Sequence, residues 1–368
     1  MITRLAAVDI GNYSVKARFD DHTVQIPNVI ADEVDERNIV SLENEPLDGL
    51  HVSIVSGALK KGKGTYAVGK LAADYAENNE LTPSDDKALS DQGLVLLLTT
   101  LALDAVEHFA DDHGVVEARY LLSTGLPLKE VRNKLRSTFQ ERLEKNHHEI
   151  TFLDTPKFSG KKVRISFERA LVGSEGYAAM IELVTDDEGN TRNEELSSAF
   201  VLIHDIGGLS TDSAIIKPNC IIDNVHSDGM RLGVSPYLDT IIDRVDNEYR
   251  YRFHSRLGLL RVITSESNRF HIHVRGNRTN IKPIVDEILY PLAQEEYKQI
   301  RKLWSAVPEI QYAFLIGGGS ILLREYLEQI NHNEDNYPLR FLESNESIWA
   351  IANAYYKLGM AEQLHGAK

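Results

Sequence analysis

The chain has one cysteine, Cys220, in 368 residues. A lone thiol excludes an intramolecular disulfide framework and a thiolate metal cluster, and it suits a reducing compartment. Set in an apolar run, Cys220 is expected to be a small buried hydrophobe. Positive charge is also short: 40 Lys and Arg stand against 55 Asp and Glu, a formal charge of −15. A surface of that sign repels phosphate backbones, so direct binding to nucleic acid is not expected. Long greasy runs are missing too. The longest, Leu94 to Val106, is interrupted by Thr99, Thr100 and Asp104, and about 20 apolar residues are needed to cross a bilayer. Met1 to Val8 lacks the basic-then-apolar layout of a secretion signal, and Met360 to Lys368 lacks a basic amphipathic helix. The expectation is a cytoplasmic protein without a membrane anchor.

Hydrophobic residues make up 42% and charged residues 26%, an ordinary balance for a compact globular chain. Its length suits two comparable domains. The first segment reads as strand, tight turn and strand: apolar Leu5 to Val8, the run Asp9-Ile10-Gly11-Asn12-Tyr13-Ser14, then alternating Val15, Ala17 and Phe19. A second copy lies far downstream, where Phe200 to Ile203 leads into His204-Asp205-Ile206-Gly207-Gly208-Leu209-Ser210-Thr211-Asp212. Both copies carry Asp-Ile-Gly where the first strand ends, an echo that a duplicated protein would show.

Between the copies the pattern predicts an irregular stretch from Pro27 to Asp91 and a helix from Gln92 to Ala110. A strand at Ala118 to Thr124 and a charged helix from Leu128 to Lys145 follow. The hydrophilic run Asp186 to Glu195 marks a solvated loop or domain boundary. Beyond the second copy come helices at Ser235 to Tyr251 and Asn280 to Trp304, a strand at Tyr312 to Ile316, and a helix from Ser320 to Gln329. A last helix spans Ile348 to Leu358. Alternating strands and helices point to a mixed or parallel sheet.

Hairpin tips built of small residues let successive backbone N–H groups converge on an anion. Gly11, Asn12, Tyr13 and Ser14 form one such cradle, and Gly207, Gly208, Leu209 and Ser210 the other. Lys16 on the returning strand would reach bound phosphates as a point charge, or else is an exposed strand lysine. Asp9 and Asp205, one at the mouth of each hairpin, would hold the water shell of Mg²⁺. The strand Ala313 to Ile316, then Gly317-Gly318-Gly319 and a helix capped by Ser320, would let a nucleoside lie against bare backbone. It lacks the glycine spacing of a dinucleotide turn.

Glu175 heads a helix of small residues and is the candidate for orienting an attacking water; the alternative is an acid placed there by the helix dipole. Histidine pairs at 147 and 148, and at 271 and 273, invite a metal reading. With no third ligand nearby they are expected to be ordinary surface.

The order Asp9-x-Gly11 with Lys16, Ser174-Glu175-Gly176, Asp205-x-Gly207-Gly208 with Thr211-Asp212, Gly317-Gly318-Gly319, then Ala350 to Gly359, resembles the five-motif signature of the actin, Hsp70 and sugar-kinase superfamily. Within it the chain is most similar to plasmid-segregating bacterial actins of the ParM/StbA type, through Ser123-Thr124-Gly125-Leu126-Pro127-Leu128 and Leu232-Gly233-Val234-Ser235. The resemblance implies an α/β, two-domain actin-like fold of duplicated ribonuclease H-like type, with the nucleotide in the interdomain cleft. One domain would comprise residues 1–194 plus 340–368, with a smaller subdomain at 27–91. The other would comprise 195–339, with a helical subdomain at about 229–300.

The resemblance further implies ATP, with GTP left open, and Mg²⁺ organised by Asp9 and Asp205. Residues 11–16 and 207–210 would grip phosphates, Gly317 to Gly319 would meet the adenosine, and Glu175 would position water. It implies a filament-forming ATPase that polymerises with itself and segregates plasmid DNA through a DNA-binding adaptor of the ParR type. Two departures stand out: Ser174 occupies the place where many relatives have Pro, and His204 precedes Asp205, where it would enter that carboxylate's charge balance. The competing functions are a small-molecule kinase, for which no further Asp-centred base motif is seen, and a nucleotide-binding assembly protein that does not polymerise. An Hsp70-type chaperone would need a substrate domain beyond Lys368.

Overall fold

The computed structural model describes residues 2–34, 45–75, 77–82 and 85–366. The chain divides into two compact units, Met1–Asn190 with Trp349–Lys368, and Thr191–Ile348.

The first unit opens with β1 (Thr3–Ile10), β2 (Ser14–Arg18), β3 (Thr23–Pro27) and β4 (Ile30–Asp32), followed by β5 (His51–Ser56), β6 (Lys63–Val68) and the short α1 (Lys70–Ala73). Then come α2 (Asp91–His108), β7 (Asp111–Asp112), β8 (Val115–Leu126), α3 (Leu128–Arg132), α4 (Leu135–Glu144), β9 (His148–Phe152), β10 (Lys162–Ser174) and α5 (Glu175–Val184). Its sheet runs β3-β2-β1-β8-β10-β9-β5-β6-β4, with β7 at the side of β8. β1 is antiparallel to β2 and parallel to β8, and β8 is parallel to β10. Leu5 to Ile10 is buried without a break, as a central strand covered on both faces must be.

α2 packs across β1, β8 and β10. Every residue from Gln92 to Ala105 is buried, the mark of a helix enclosed on all sides. The polar residues that interrupt its apolar run are satisfied internally. Thr99 and Thr100 donate to Val95 O and Leu96 O at 2.8 Å each, and Asp104 accepts from the Tyr120 hydroxyl at 2.6 Å. Ser90 caps the helix by accepting from Gly93 N at 3.1 Å.

The second unit holds α6 (Glu194–Ser197), β11 (Phe200–Ile206), β12 (Thr211–Lys217), β13 (Ile221–Ile222), β14 (Asp228–Met230), α7 (Ser235–Tyr249) and α8 (Arg256–Ile263). It continues with β15 (His271–Val274), β16 (Asn277–Asn280), α9 (Lys282–Ala306), β17 (Ile310–Ile316), α10 (Gly317–Asn333) and β18 (Leu339–Phe341). The closing helix α11 (Ser344–Gly366) lies for the greater part in the first unit. The main sheet runs β13-β12-β11-β17-β18, with β14 beside β12, and β15-β16 is a separate hairpin. β11 is antiparallel to β12 and parallel to β17, which is parallel to β18. This repeats the order β3-β2-β1-β8-β10 strand for strand, so the echo of the two Asp-Ile-Gly runs is an echo of topology.

Several expectations are revised. The stretch from Pro27 to Asp91 is not irregular: β4, β5, β6 and α1 fall within it, interrupted by turns at glycines such as Gly62 and Gly69, both of positive φ. Residues 35–44, 76, 83 and 84 of that stretch, and 367 and 368 of the tail, lie outside the described residues. The charged helix from Leu128 to Lys145 is two helices, broken where Lys134 takes a left-handed conformation at φ 63°. Ser320 does not cap α10. The helix starts at Gly317, and Ser320 lies inside it, its hydroxyl donating to Gly317 O at 2.8 Å.

His148 is buried, bonded to Ser56 Oγ and Leu143 O at 2.8 Å each, rather than at the surface. Cys220 is part-exposed in a turn at φ 57°, so it is not a core residue. Among the described residues, no helix is long and apolar enough to cross a membrane.

Candidate functional site

In the first unit, β1 delivers Asp9 to its end and β2 returns with Lys16 in direct register opposite. Residues opposite each other on an antiparallel pair share a face. The Lys16 ammonium donates to Asp9 Oδ2 at 2.6 Å, both side chains being largely buried. Lys16 is thus a paired group rather than an exposed strand lysine. The intervening turn is held by a relay from α2: Gln92 Nε2 donates to Asn28 Oδ1 at 2.7 Å, and Asn28 Nδ2 donates to Gly11 O at 2.8 Å. The backbone of Asn28 also donates to Tyr13 O at 2.8 Å. Gly11 is required by close approach, since a Cβ there would lie 2.7 Å from Ser14 O.

Glu175 is the first residue of α5 and is buried. Its carboxylate pairs with the ammonium of Lys87, which is buried as well. Lys87 sits on a tight turn whose backbone is clamped from two sides. Glu130 accepts from Lys87 N at 2.9 Å and Ala88 N at 3.0 Å, and Arg142 donates to Ala88 O at 3.1 Å and Ser90 O at 2.9 Å. Burial pulls the Lys87 pKa down, but the charges of Glu175, Asp9 and Glu130 outweigh it and hold the group above the ordinary lysine value. The ammonium therefore stays charged, in the field of both acids the sequence had singled out in this unit. Sequence reading missed Lys87 because nothing near it marks a motif; its partner is remote in the chain, and only the fold joins them.

In the second unit, β11 ends in Asp205 and Ile206, and the turn is closed by Gly207 N donating to Ser210 O at 2.9 Å. The segment Leu232 to Ser235 packs onto this turn: Val234 N donates to Gly207 O at 3.2 Å and Ser235 N to Gly208 O at 2.7 Å. Gly233 leaves no room for a side chain, since a Cβ would lie 2.6 Å from Leu209 N. Opposite Asp205 in the register stands Asp212, on the same face, a neighbour that the sequence motif contained without assigning it a task.

The glycine triplet lies beside the same bend, because Ile316 of β17 pairs with Asp205. Gly317 has φ 82°, and a Cβ there would crowd the Asp205 carboxylate and lie 2.6 Å from Ile206 O; one on Gly319 would lie 2.7 Å from Ile206 O. These two glycines let α10 start against the end of β11, and Gly318 between them is part-exposed.

The His204 ring points away from Asp205. Successive strand residues face opposite ways, and His204 is fully buried on the other side, with Nδ1 2.9 Å from Ser213 Oγ and Nε2 3.0 Å from Glu296 Oε2. Glu296 of α9 also accepts from Thr211 Oγ1 at 2.8 Å, so this network ties α9 to the sheet beneath the bend. The histidines of β15 make no cluster: His271 Nδ1 lies 2.7 Å from Arg269 O, and His273 is exposed.

The candidate residues thus fall into two sets. Asp9, Gly11 to Ser14, Lys16 and Glu175 belong to the first unit, and Asp205, Gly207 to Ser210 and Gly317 to Gly319 to the second.

Residues 7–177 match the family profile described as the N-terminal domain of actin like proteins, and residues 200–344 match that of the Alp7A C-terminal domain. A search of curated protein sequences found no match. Among solved structures, Bacillus thuringiensis ParM with ADP has a TM-score of 0.70 at 21% identity, covering 98% of this chain and 99% of that one. The actin-like protein Alp7A has a TM-score of 0.77 at 16% identity, with 99% and 97% covered. A ParM from Clostridium botulinum, solved as a 15-stranded filament, has 0.76 at 21%, with 98% and 100% covered. Matched in order by the two domain profiles and built on the fold of ParM and Alp7A, the chain belongs to the actin-like protein family.

Proposed function

We propose that this protein is an ATPase that assembles with itself into nucleotide-dependent filaments and segregates plasmid DNA through a basic adaptor protein. What carries the reading is the doubled bend: each unit ends its central strand in Asp-Ile-Gly, turns on small residues, and returns antiparallel on the same strand order. Such turns present backbone N–H groups to phosphate oxygens. Residues 11–14 and 207–210 would grip the phosphates, Lys16 would add a positive charge beside Asp9, and Gly317 to Gly319 would admit the nucleoside. The residues fit a hydrated Mg²⁺: Asp205 and Asp212 put two carboxylates on one face, and Asp9 lies at the matching place of the other unit. Mg²⁺ keeps most of its waters and would neutralise phosphate charge there.

Glu175 is the base or positioner of the attacking water. Lys87 pairs with its carboxylate and would hold it in one orientation. Support for the nucleotide and for polymerisation comes from relatives of the same fold, ParM with ADP and ParM as a filament. The chain's charge of −15 suits cargo DNA reached through a basic partner rather than directly.

The test is electron microscopy and sedimentation of the purified chain with Mg-ATP, with Mg-ADP and without nucleotide, alongside phosphate release. Filaments that depend on nucleotide state are expected. Nucleotide hydrolysis without polymer in any state would sink the filament reading in favour of a kinase of the same fold.

A further inference from the structure

A second cluster of titratable groups lies in the first unit at the far end of β1 from Asp9. Arg4 stands there, and the five residue steps of strand from Arg4 to Asp9 span roughly 17 Å. The turn between β2 and β3 contributes Asp21 and His22, and the last turn of α2 contributes His108. One donor atom from each of these three residues lies within 4.8 Å of the others. The two imidazoles stack with centroids 4.9 Å apart. His22 Nδ1 is 3.0 Å from Asp21 Oδ1, and His108 Nε2 is 3.0 Å from Asp21 Oδ2.

On their inner sides both rings face Asp104. His108 Nδ1 is 2.9 Å from the Asp104 backbone oxygen and 3.2 Å from its Oδ1, and His22 Nε2 is 3.7 Å from the same Oδ1. Asp104 is fully buried and fixed by the Tyr120 hydroxyl and, at 3.0 Å, by Arg4 Nε.

A neutral imidazole has one N–H and one lone pair. Both nitrogens of His108 face oxygens that only accept. Once its N–H is directed inward to Asp104, the Nε2 lone pair points at the Asp21 carboxylate, and His22 stacked beside it aims at the same carboxylate. A second proton on each ring would set two cations face to face. A metal ion between the outer nitrogens and the carboxylate resolves the conflict at His108 and takes His22 Nδ1 as a further ligand. With neutral rings, Asp21, Asp104 and Arg4 leave one net negative charge to receive it.

We propose that Asp21, His22 and His108 form a site for a divalent ion of the zinc class, with water completing the coordination. Two imidazoles and one carboxylate suit Zn²⁺ rather than Mg²⁺. An inner carboxylate that orients each ring and fixes its tautomer is the outer shell such sites use. All three donors are partly exposed, at 52%, 27% and 24% for the side chains of Asp21, His22 and His108, so the ion enters from solvent. The bound ion clips the β2–β3 turn to the end of α2 and, by binding the folded state, stabilises the first unit.

Titration of the full chain with Co²⁺, then displacement by Zn²⁺, tests the site without reference to hydrolysis. Wild type is expected to develop the visible ligand-field band of low-coordinate cobalt at one equivalent, lose it on adding Zn²⁺, and melt at higher temperature with Zn²⁺. His22→Ala and His108→Ala should each weaken binding at least about tenfold, while metal-free circular dichroism stays near wild type, since both side chains are partly exposed and neither belongs to the apolar core. His271→Ala should leave the band intact. No band in wild type, or a band that survives the His22→Ala/His108→Ala double variant, overturns the proposal; the first result assigns the cluster to a protonated imidazole, the second places the metal elsewhere.

Discussion

Opposite Asp9, across the first hairpin, stands Lys16; opposite Asp205, at the same place in the second hairpin, stands Asp212. The backbones are alike in strand order and in their Asp-Ile-Gly sequence, so the difference is one of charge. In the first unit the carboxylate already has a cation at 2.6 Å. In the second, an acid stands opposite the first on the same face. The turn is alike in both units, and the partner across the strand differs. On this reading the first bend supplies charge to the phosphates, and the second holds the metal.

The units diverge again at the helix that follows the last parallel strand. α5 opens with Glu175 against Lys87, whereas α11, after β18, opens with Ser344. If hydrolysis belongs to the first unit alone, Glu175→Gln should lower single-turnover ATP hydrolysis at least about 100-fold, with nucleotide affinity changed little. Rapid-quench measurement at saturating ATP gives the answer, and an unchanged rate would remove Glu175 from the mechanism. The same variant leaves Lys87 as a buried, half-partnered cation, so urea unfolding should show a loss of about 3 kcal/mol.

The proposed split between phosphate and metal is tested by crossing two variants. Asp205→Asn should raise the Mg²⁺ concentration for half-maximal hydrolysis at least about tenfold, as expected when a ligand to the ion's water shell is weakened. Lys16→Met should weaken nucleotide binding about tenfold or more while leaving the Mg²⁺ requirement nearly unchanged, since it removes a point charge aimed at phosphate. Equal shifts of both quantities in both variants would erase the distinction. Nucleotide affinity by fluorescence titration and Mg²⁺ dependence of phosphate release are sufficient readouts.

A smaller effect is expected where backbone crowds backbone. Gly11→Ala would press on Ser14 O in the first bend, and Gly233→Ala on the turn at Gly208 and Leu209 in the second. Each should cost about 1 to 3 kcal/mol through displacement of the turn. Gly62→Ala serves as a contrast, because nothing lies within 4 Å of its Cβ and only its φ of 71° opposes it. Thermal melting that ranks Gly62→Ala as the most damaging of the three would show that the bends yield easily.

The two bends were legible in the sequence because a strand, a turn and a returning strand are local, and each is written in consecutive residues. Glu175 at the head of a helix was legible for the same reason. Lys87 was not, since its meaning comes from a carboxylate that only tertiary structure brings to it. The strands at His51–Ser56 and Lys63–Val68 lie in the stretch expected to be irregular; glycines at 57, 62, 64 and 69 punctuate it, and pairing of β5 with β9 overrides that local signal. α10 starts three residues before the expected Ser320: glycines are poor helix formers, but packing of Gly317 and Gly319 on the end of β11 demands them. Asp21, His22 and His108 escaped notice as a group because a turn and the end of α2 supply them separately.

The mildest difference between the bends is in what holds them. The second turn is held from outside by backbone bonds, Val234 N to Gly207 O and Ser235 N to Gly208 O, which no side-chain deletion removes, with Thr211 Oγ1 donating to Leu232 O beside them at 2.9 Å. The first is held by side chains, Gln92 to Asn28 and Asn28 to Gly11 O. Gln92→Ala should therefore cost about 1 kcal/mol and loosen only the first bend, since it takes away one donor and leaves the fold of α2 intact. Native-state hydrogen exchange reads this directly: amides of the first turn and of Asn28 should exchange several-fold faster, while those of the second turn keep their wild-type rates. Faster exchange in both turns would mean that the two bends are stabilised as one body, and unchanged exchange in the first would mean that the Asn28 backbone bond to Tyr13 O suffices without the relay.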